Sequence, residues 1–312
     1  MNDAIRKADV LIEALSYIRT FRDKLTVIKL GGSAMEDAAA LRATLQDVVF
    51  METVGLRPVL VHGGGKPIDR AMAAAGLEPR KVQGRRHTDA ATLDIVVRVL
   101  RDEINAGIVR GIRKLGGRAV GLHTGPLQCL FGEKLLLPGD DGQPLDLGRV
   151  GHVTRVDRPL IEDFCKAGVV PVIPSIALEE PADRNVCPTN SSSGADIPVC
   201  QGEWLNVNAD TAAAAVAAHL QVEKLVFLSD TPGILRDRRD EASLVRSLDA
   251  DGCRELIARG VIDTGMIPKV EACLDSLRAG VKKTHMIDGR LRHSLLLEIY
   301  TDRGVGTEIT LN

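Results

Sequence analysis

Two lysines, one aspartate and three glycine clusters are the residues here that could do chemistry. Lys29 stands near the end of an apolar run, LTVIKL at 25–30, and Gly31-Gly32 follows at once. A lysine among apolar neighbours is costly to bury unless it is paired or meets an anion. His62-Gly63-Gly64-Gly65 closes a second run (VLVH, 59–62), and Asp230-Thr231-Pro232-Gly233 follows a third (KLVFLS, 224–229). Glycine lets the backbone approach a ligand closely, and its N–H groups can hold anionic oxygens. Lys269 follows Thr264-Gly265-Met266-Ile267-Pro268. Pro268 suits the first turn of a helix, so Lys269 sits where a cation opposes the helix dipole unless an anionic ligand is near. Asp210 opens the helix-forming stretch TAAAAVAAHL, either as its N-cap or as partner to a buried lysine. Together these residues predict a site for anionic oxygens. No GxxxxGK[ST] is present, and no GxGxxG follows a strand, so neither a P-loop nor a dinucleotide fold is supported.

The elements that must position these residues alternate in type. Short β-branched runs at 25–30, 59–62, 118–122, 169–173 and 224–229 read as strands buried on both faces. Ala- and Leu-rich stretches of helical length lie between and after them, at 36–54, 67–76, 89–115, 158–167, 210–219, 250–259 and 268–279. The rhythm predicts an α/β protein with a mostly parallel sheet, whose ligands bind at the carboxyl ends of the strands. The first 24 residues read as a helix with two apolar stripes, Ala8, Leu11, Ile12, Leu15 and Ile18 on one side and Val10, Ala14, Tyr17 and Phe21 on the other. Such a helix either bridges its own domain and a neighbouring subunit or folds back wholly onto its own chain. Residues 179–203, rich in Pro, Ser and Asn, read as an exposed excursion. Cys187 and Cys200 within it fit no common zinc spacing and are expected to be inert or to form an occasional disulfide.

Composition excludes several classes. The chain has 312 residues, enough for about two domains or one large sheet-based unit. Its net charge of −2 gives no basic field for nucleic acid. No apolar run approaches the roughly 20 residues that span a bilayer. Asp3, Arg6, Lys7, Asp9 and Glu13 break up any signal-peptide core, and the six scattered cysteines make no disulfide framework, so a reducing cytoplasm is expected.

Six segments then occur in order: VIKLGGS, LVHGGG, GRRHTD, NVNADTAAAAVAAHL, VFLSDTPGIL and GMIPKVEACLDSL. Together they resemble the amino-acid kinase family, and the branch of it that phosphorylates N-acetyl-L-glutamate, from about residue 25 to the C-terminus. The resemblance implies a three-layer αβα sandwich, an acyl amino acid lobe over 25–203 and an ATP lobe over 204–312, after an oligomerisation helix over 1–24. It implies transfer of the γ-phosphoryl of ATP to a carboxylate, with Lys29 and Lys269 flanking the phosphoryl group and Asp210 orienting both. Gly63, Gly64, Arg86 and Asn206 would hold the acceptor. Gly31, Gly32, Asp230, Thr231, Gly233, Leu235, Val261 and Asp263 would surround ATP, with Mg2+ carried by the nucleotide and no metal site in the protein. Tyr17, His285, Glu298 and Gly304 match an inhibitory arginine site, and the helix matches one that interlaces a trimer of dimers into a hexamer. A plain surface role for Glu298 is the competing reading. Ser33, Lys66, Arg85 and His87 depart from the family pattern on the acceptor side. The rival readings are therefore a kinase of another acylated amino acid, such as an aminoadipate derivative, and a non-catalytic sensor of arginine or nucleotide.

Overall fold

The computed structural model describes residues 2–82, 85–138, 143–180, 202–263, 265–301 and 304–311. Cys187, Cys200 and most of the 179–203 excursion lie outside the described residues. Five runs read as buried strands are strands: β1 (Leu25–Leu30), β2 (Arg57–His62), β5 (Ala119–Gly121), β8 (Val170–Pro174) and β11 (Lys224–Ser229). The intervening β3 (Lys81–Val82) and β4 (Arg85–Arg86) form a small hairpin, and β6 (Leu130–Pro138), β7 (Pro144–Val156), β9 (Ile176–Glu179) and β10 (Trp204–Val207) close a four-stranded barrel. The chain then adds β12 (Ser247–Leu248), β13 (Lys283–Asp288) and β14 (Thr307–Ile309) to the main sheet. That sheet runs β12-β14-β13-β11-β1-β2-β8-β5, with β1 and β11 at its centre and β14 antiparallel to β13. The barrel and the β13–β14 edge carry no continuous apolar run and were not expected. β10 pairs with both β7 and β9, so the barrel draws on residues from either side of position 203.

Alternation along β1 builds the layers. Ile28 and Leu30 face one side of the sheet, packed with Leu45 and Val48 of α2 (Ala38–Thr53) and, beyond α3 (Gly65–Ala74) and α4 (Ala90–Arg98), with Ile108 and Ile112 of α5 (Ala106–Lys114). Val27 faces the other side, with α6 (Arg158–Lys166), α7 (Ala209–Leu220), α8 (Ala250–Ala258) and α9 (Ile267–Arg278). The last helix, α10 (Ser294–Ile299), joins the first layer. The 89–115 stretch is one continuous helical run with a π-helical segment, Val99–Asn105, at its middle. Among the described residues no helix is long and apolar enough to cross a membrane.

The N-terminal helix α1 (Asn2–Phe21) meets its own chain through its last turns: Tyr17 and Phe21 of one stripe and Ile18 of the other pack against the first layer. The Lys224 ammonium lies 4.6 Å from the Phe21 ring centroid, a cation–π contact that covers this buried lysine. Nearer the start of the helix both stripes are exposed, Leu11 at 68% and Ile12 at 69% on one and Val10 on the other, with Ile5 and Leu15 beside them.

Helix α7 carries Asp210 and is started by a side-chain cap. Asn208 is extended and its Oδ1 accepts from Asp210 N–H (2.9 Å) and Thr211 N–H (3.1 Å). Asp210 is thus not the cap, which frees its carboxylate for another task. Replacing Asn208 by Ala is expected to cost about 0.5–2 kcal/mol, read as a lowered urea midpoint. An unchanged midpoint would mean that packing alone holds the start of α7.

Candidate active site

Lys29 and Lys269 are 240 positions apart in the chain, yet they converge on one carboxylate. Lys29 sits on β1 between Val61 of β2 and Phe227 of β11, on the face that α7 covers. Its ammonium lies 2.7 Å from Asp210 Oδ1, and both side chains are only 8% exposed. Lys269, in the first turn of α9, donates to Asp210 Oδ2 at 3.0 Å. Both contacts are short ion pairs, one to each oxygen of the carboxylate. Burial by itself would raise the pKa of Asp210; the charges of Lys29 and Lys269 outweigh it and hold the carboxyl below its ordinary value. One carboxylate between two ammonium groups leaves a net positive charge in a largely buried spot, the electrostatic state that accepts an anion.

The glycine loops are shaped by this cluster. A Cβ on Gly31 would strike the Lys29 ammonium, so a side chain there would displace the cation. Gly32 adopts φ +60°, a left-handed conformation suited to glycine, and lies beside the Asp230 carboxylate. In the triplet, a Cβ on Gly63 would meet Ala209 Cβ at 2.9 Å, so this loop abuts the start of α7 beside Asp210. A Cβ on Gly64 would meet Leu100 and Ile104 of the π-helical segment at 2.8 and 2.9 Å.

The acceptor-side candidates form one linked group. Arg86 Nη2 pairs with Asp69 Oδ1 at 2.5 Å and donates to Gly65 O at 3.4 Å, while Nη1 faces Met72 Sδ. Thr88 Oγ1 donates to Arg86 O at 3.0 Å and accepts from Asn206 Nδ2 at 3.0 Å. Arg86 and Asn206 are therefore joined through Thr88, a buried residue that the sequence reading did not single out. Arg85 lies beside Arg86 in β4, and the His87 N–H bonds Arg80 O. Lys66 extends from α3 to Glu36 at 2.7 Å, and Arg70 reaches the same carboxylate at 3.2 Å. The segment after β1 is thus tied to the helix after the glycine triplet. The placement of the Ser33 side chain is not described.

On the other side, Asp230 follows β11, and Thr231 Oγ1 is buried with no partner among the described residues. Gly233 adopts φ +145°, where a Cβ would strike Thr307 and Leu244, and Leu235 bridges to Leu244. Val261 is half-buried against the core, and Asp263 pairs with Arg238 and accepts from Met266 N–H at 2.8 Å, just ahead of α9. Among the described residues no group of three His, Cys, Asp or Glu could hold a metal ion.

Of the four residues matched to an arginine site, His285, Glu298 and Gly304 meet in a separate cluster at the β13–β14 edge. Glu298 is buried, which overturns its reading as a surface carboxylate: Oε1 lies 2.6 Å from His285 Nδ1, and Oε2 accepts from Val305 N–H (2.7 Å) and Gly306 N–H (3.1 Å). Burial would raise its pKa, but the His285 bond and the two amides hold it below its ordinary value. Gly304, at φ +57°, lets the chain pass close to Glu298. Tyr17 packs on the same helical layer as α10.

Comparison with known proteins identifies the family and the fold. The amino acid kinase family model matches residues 24–288. An acetylglutamate kinase of Moorella thermoacetica is 44% identical over 308 residues, 98% of this chain and 97% of that protein. One of Acaryochloris marina is 43% identical over 310 residues, 99% of this chain and all of that protein. The fold matches N-acetylglutamate synthase of Neisseria gonorrhoeae solved with coenzyme A and N-acetyl-glutamate, at TM-score 0.79 and 23% identity; 97% of this chain and 63% of that one are covered. Carbamate kinase of Giardia lamblia bound to AMP-PNP matches at TM-score 0.62 and 15% identity, over 93% of this chain and 99% of that one. The chain belongs to the amino acid kinase family.

The paired state of Asp210 has a pH signature. A depressed carboxyl pKa stabilises the fold fully above the ordinary value of about 4, and that stability is lost as pH falls further, through the lowered folded value. Asp210→Asn is therefore expected to be less stable than wild type from pH 7 to 5, with the gap closing below about pH 4 as wild-type Asp210 protonates. Urea midpoints across that range check this; a gap that stays constant below pH 4 would show that the carboxylate is not held by charge.

Proposed function

From membership of the amino acid kinase family we propose that this chain is an ATP-dependent kinase of N-acetyl-L-glutamate. The γ-phosphoryl of ATP would pass to the side-chain carboxylate, giving an acyl phosphate. The new bond joins a carboxylate oxygen to phosphorus, the bond from phosphorus to the β,γ-bridging oxygen breaks, and ADP leaves. The observation that carries the proposal is the convergence of Lys29 and Lys269 on Asp210, supported by relatives named acetylglutamate kinase that align over nearly the whole chain.

A carboxylate acceptor is already an anion and needs no general base. The barrier is repulsion between two anions and charge spread over the moving phosphoryl group, so positioning and electrostatic stabilisation carry the rate. Lys29 and Lys269 supply two positive charges to the equatorial and bridging oxygens, and Asp210 keeps both from folding away. Gly31, Gly32, Gly63 and Gly64 offer backbone N–H groups, Arg86 and Asn206 take the acyl amino acid, and Arg86 must then exchange or share its Asp69 partner with the α-carboxylate. The unpartnered Thr231 hydroxyl fits a ligand beside Asp230, Gly233, Leu235, Val261 and Asp263, the segments assigned to the nucleotide. The nucleotide would carry Mg2+, which would supply neutralisation of part of the phosphate charge.

Arginine is the proposed inhibitor, taken at Tyr17, His285, Glu298 and Gly304 with its guanidinium on Glu298. The exposed apolar residues in the earlier turns of α1, Leu11 and Ile12 above all, are proposed to meet a second copy of the chain and to build a hexamer.

Three outcomes follow. A hydroxylamine trap should give hydroxamate from N-acetyl-L-glutamate in preference to acylated aspartate or aminoadipate; signal from another acid alone would reject this acceptor. Lys269→Ala should lower the rate on the order of a hundredfold, about 3 kcal/mol, and wild-type turnover no faster than this variant would favour a non-catalytic sensor. Deleting residues 1–24 should reduce particle size in light scattering and weaken arginine inhibition, and an unchanged oligomer would contradict the role given to α1.

A further inference from the structure

Directly beneath the glycine triplet lies a buried polar chain that the transfer chemistry does not use. His62, the last residue of β2, is fully buried, and its Nδ1 lies 3.1 Å from Gly63 O. Its Nε2 lies 3.1 Å from Asn105 Nδ2, which also donates to Val172 O at 2.9 Å. Asn105 is 1% exposed and ends the π-helical segment Val99–Asn105.

Both ends of this chain are carbonyl oxygens, which can only accept. The Val172 carbonyl therefore fixes the Asn105 amide with its nitrogen inward, and the second N–H of that nitrogen goes to His62 Nε2. The Gly63 carbonyl in turn requires the proton on Nδ1. A ring that accepts at Nε2 and donates at Nδ1 is the neutral Nδ1–H tautomer. Burial favours that neutral form, pushing the pKa of His62 down to about 4; the Gly63 bond acts the other way and nearby His123 adds to the lowering.

In a trans peptide the carbonyl of Gly63 and the N–H of Gly64 point in opposite directions within one plane. Glycine on both sides of that plane leaves it free to flip. The bond from His62 holds the carbonyl down, so the Gly64 N–H stays on the opposite face of the loop, and this N–H enters no backbone bond among the described residues. The same segment that provides Asn105 packs Leu100 and Ile104 against Gly64, and Arg86 reaches Gly65 O on the other side. π-helical turns are rare, and they occur often at functional sites.

We infer that His62 is a positioning residue, held by Asn105 in its Nδ1–H tautomer, that locks the Gly63–Gly64 peptide so that the Gly64 N–H is presented to the acceptor carboxylate. The inference rests on the proposed kinase reading for its ligand, while the lock is a property of the loop itself.

Two isosteres separate this role from mere packing. Asn places an amide N–H where the ring has Nδ1; Gln reaches the place of Nε2 and leaves the Gly63 carbonyl without its donor. His62→Asn should raise the acceptor KM no more than about threefold and His62→Gln about fivefold to tenfold, the worth of one hydrogen bond, with the KM for ATP little changed in both. Asn105→Leu, which releases the tautomer, should resemble His62→Gln and guards against misfolding of that variant. Selective labelling with glycine carrying 13C-carbonyl and 15N reports only the four Gly–Gly peptides of this chain. The Gly64 amide signal should stay sharp in wild type and His62→Asn and split or broaden in His62→Gln. Equal acceptor KM values for the Asn and Gln variants, or a sharp Gly64 signal in His62→Gln, would overturn the lock. Wild-type failure to phosphorylate any acid would instead remove the kinase reading, with the amide signal still deciding on the loop.

Discussion

The structure turns on a charge problem. Lys29 is built into the central strand of a sheet covered on both faces, where an unpaired ammonium would cost several kcal/mol. Asp210 answers that cost, but it also draws in Lys269, so the cluster is left with one positive charge too many. A fold that wanted only stability would end with a neutral pair or with apolar residues in the same volume. Retaining the second lysine makes sense where an anion arrives during the working cycle.

The rest of the architecture serves that convergence. β1 brings Lys29 to the carboxyl edge of the sheet, α7 delivers Asp210 at its first turn, and α9 delivers Lys269 at its own. Asn208 takes over the capping of α7, so that Asp210 is free to face the lysines. Gly31 is small because the Lys29 ammonium occupies the space its Cβ would need. The glycine triplet abuts the start of α7, and the π-helical segment supports it from below. Each local feature limits where a bound phosphate or carboxylate could sit.

Much of this was legible in the residues, for identifiable reasons. The central strands are buried on both faces and therefore written as continuous apolar runs, and glycine loops directly after them could be read as sites. The barrel strands Leu130–Pro138 and Pro144–Val156 are half-exposed and broken by glycine and charge, so no apolar run marks them. β13, KTHMID, hides its polar residues through bonds that only the fold supplies, Thr284 to Ile309 and His285 to Glu298. Periodicity could not show that the 89–115 helix holds a π-helical turn, since one extra residue per turn leaves no compositional mark. The buried partnership of His62 with Asn105 was hidden because it joins residues 43 apart, and Thr88 between Arg86 and Asn206 and the inward turn of Glu298 likewise depend on contacts that only the fold supplies.

In the proposed reaction the two ammonium groups bind the phosphoryl group in flight rather than the nucleotide at rest. Binding of aluminium fluoride, a mimic of that group, with MgADP and N-acetyl-L-glutamate tests it directly in wild type, Lys29→Ala and Lys269→Ala. Each variant should bind the mimic complex on the order of a hundredfold more weakly while its affinity for MgADP alone changes far less. Equal losses for the mimic complex and for MgADP alone would contradict the account.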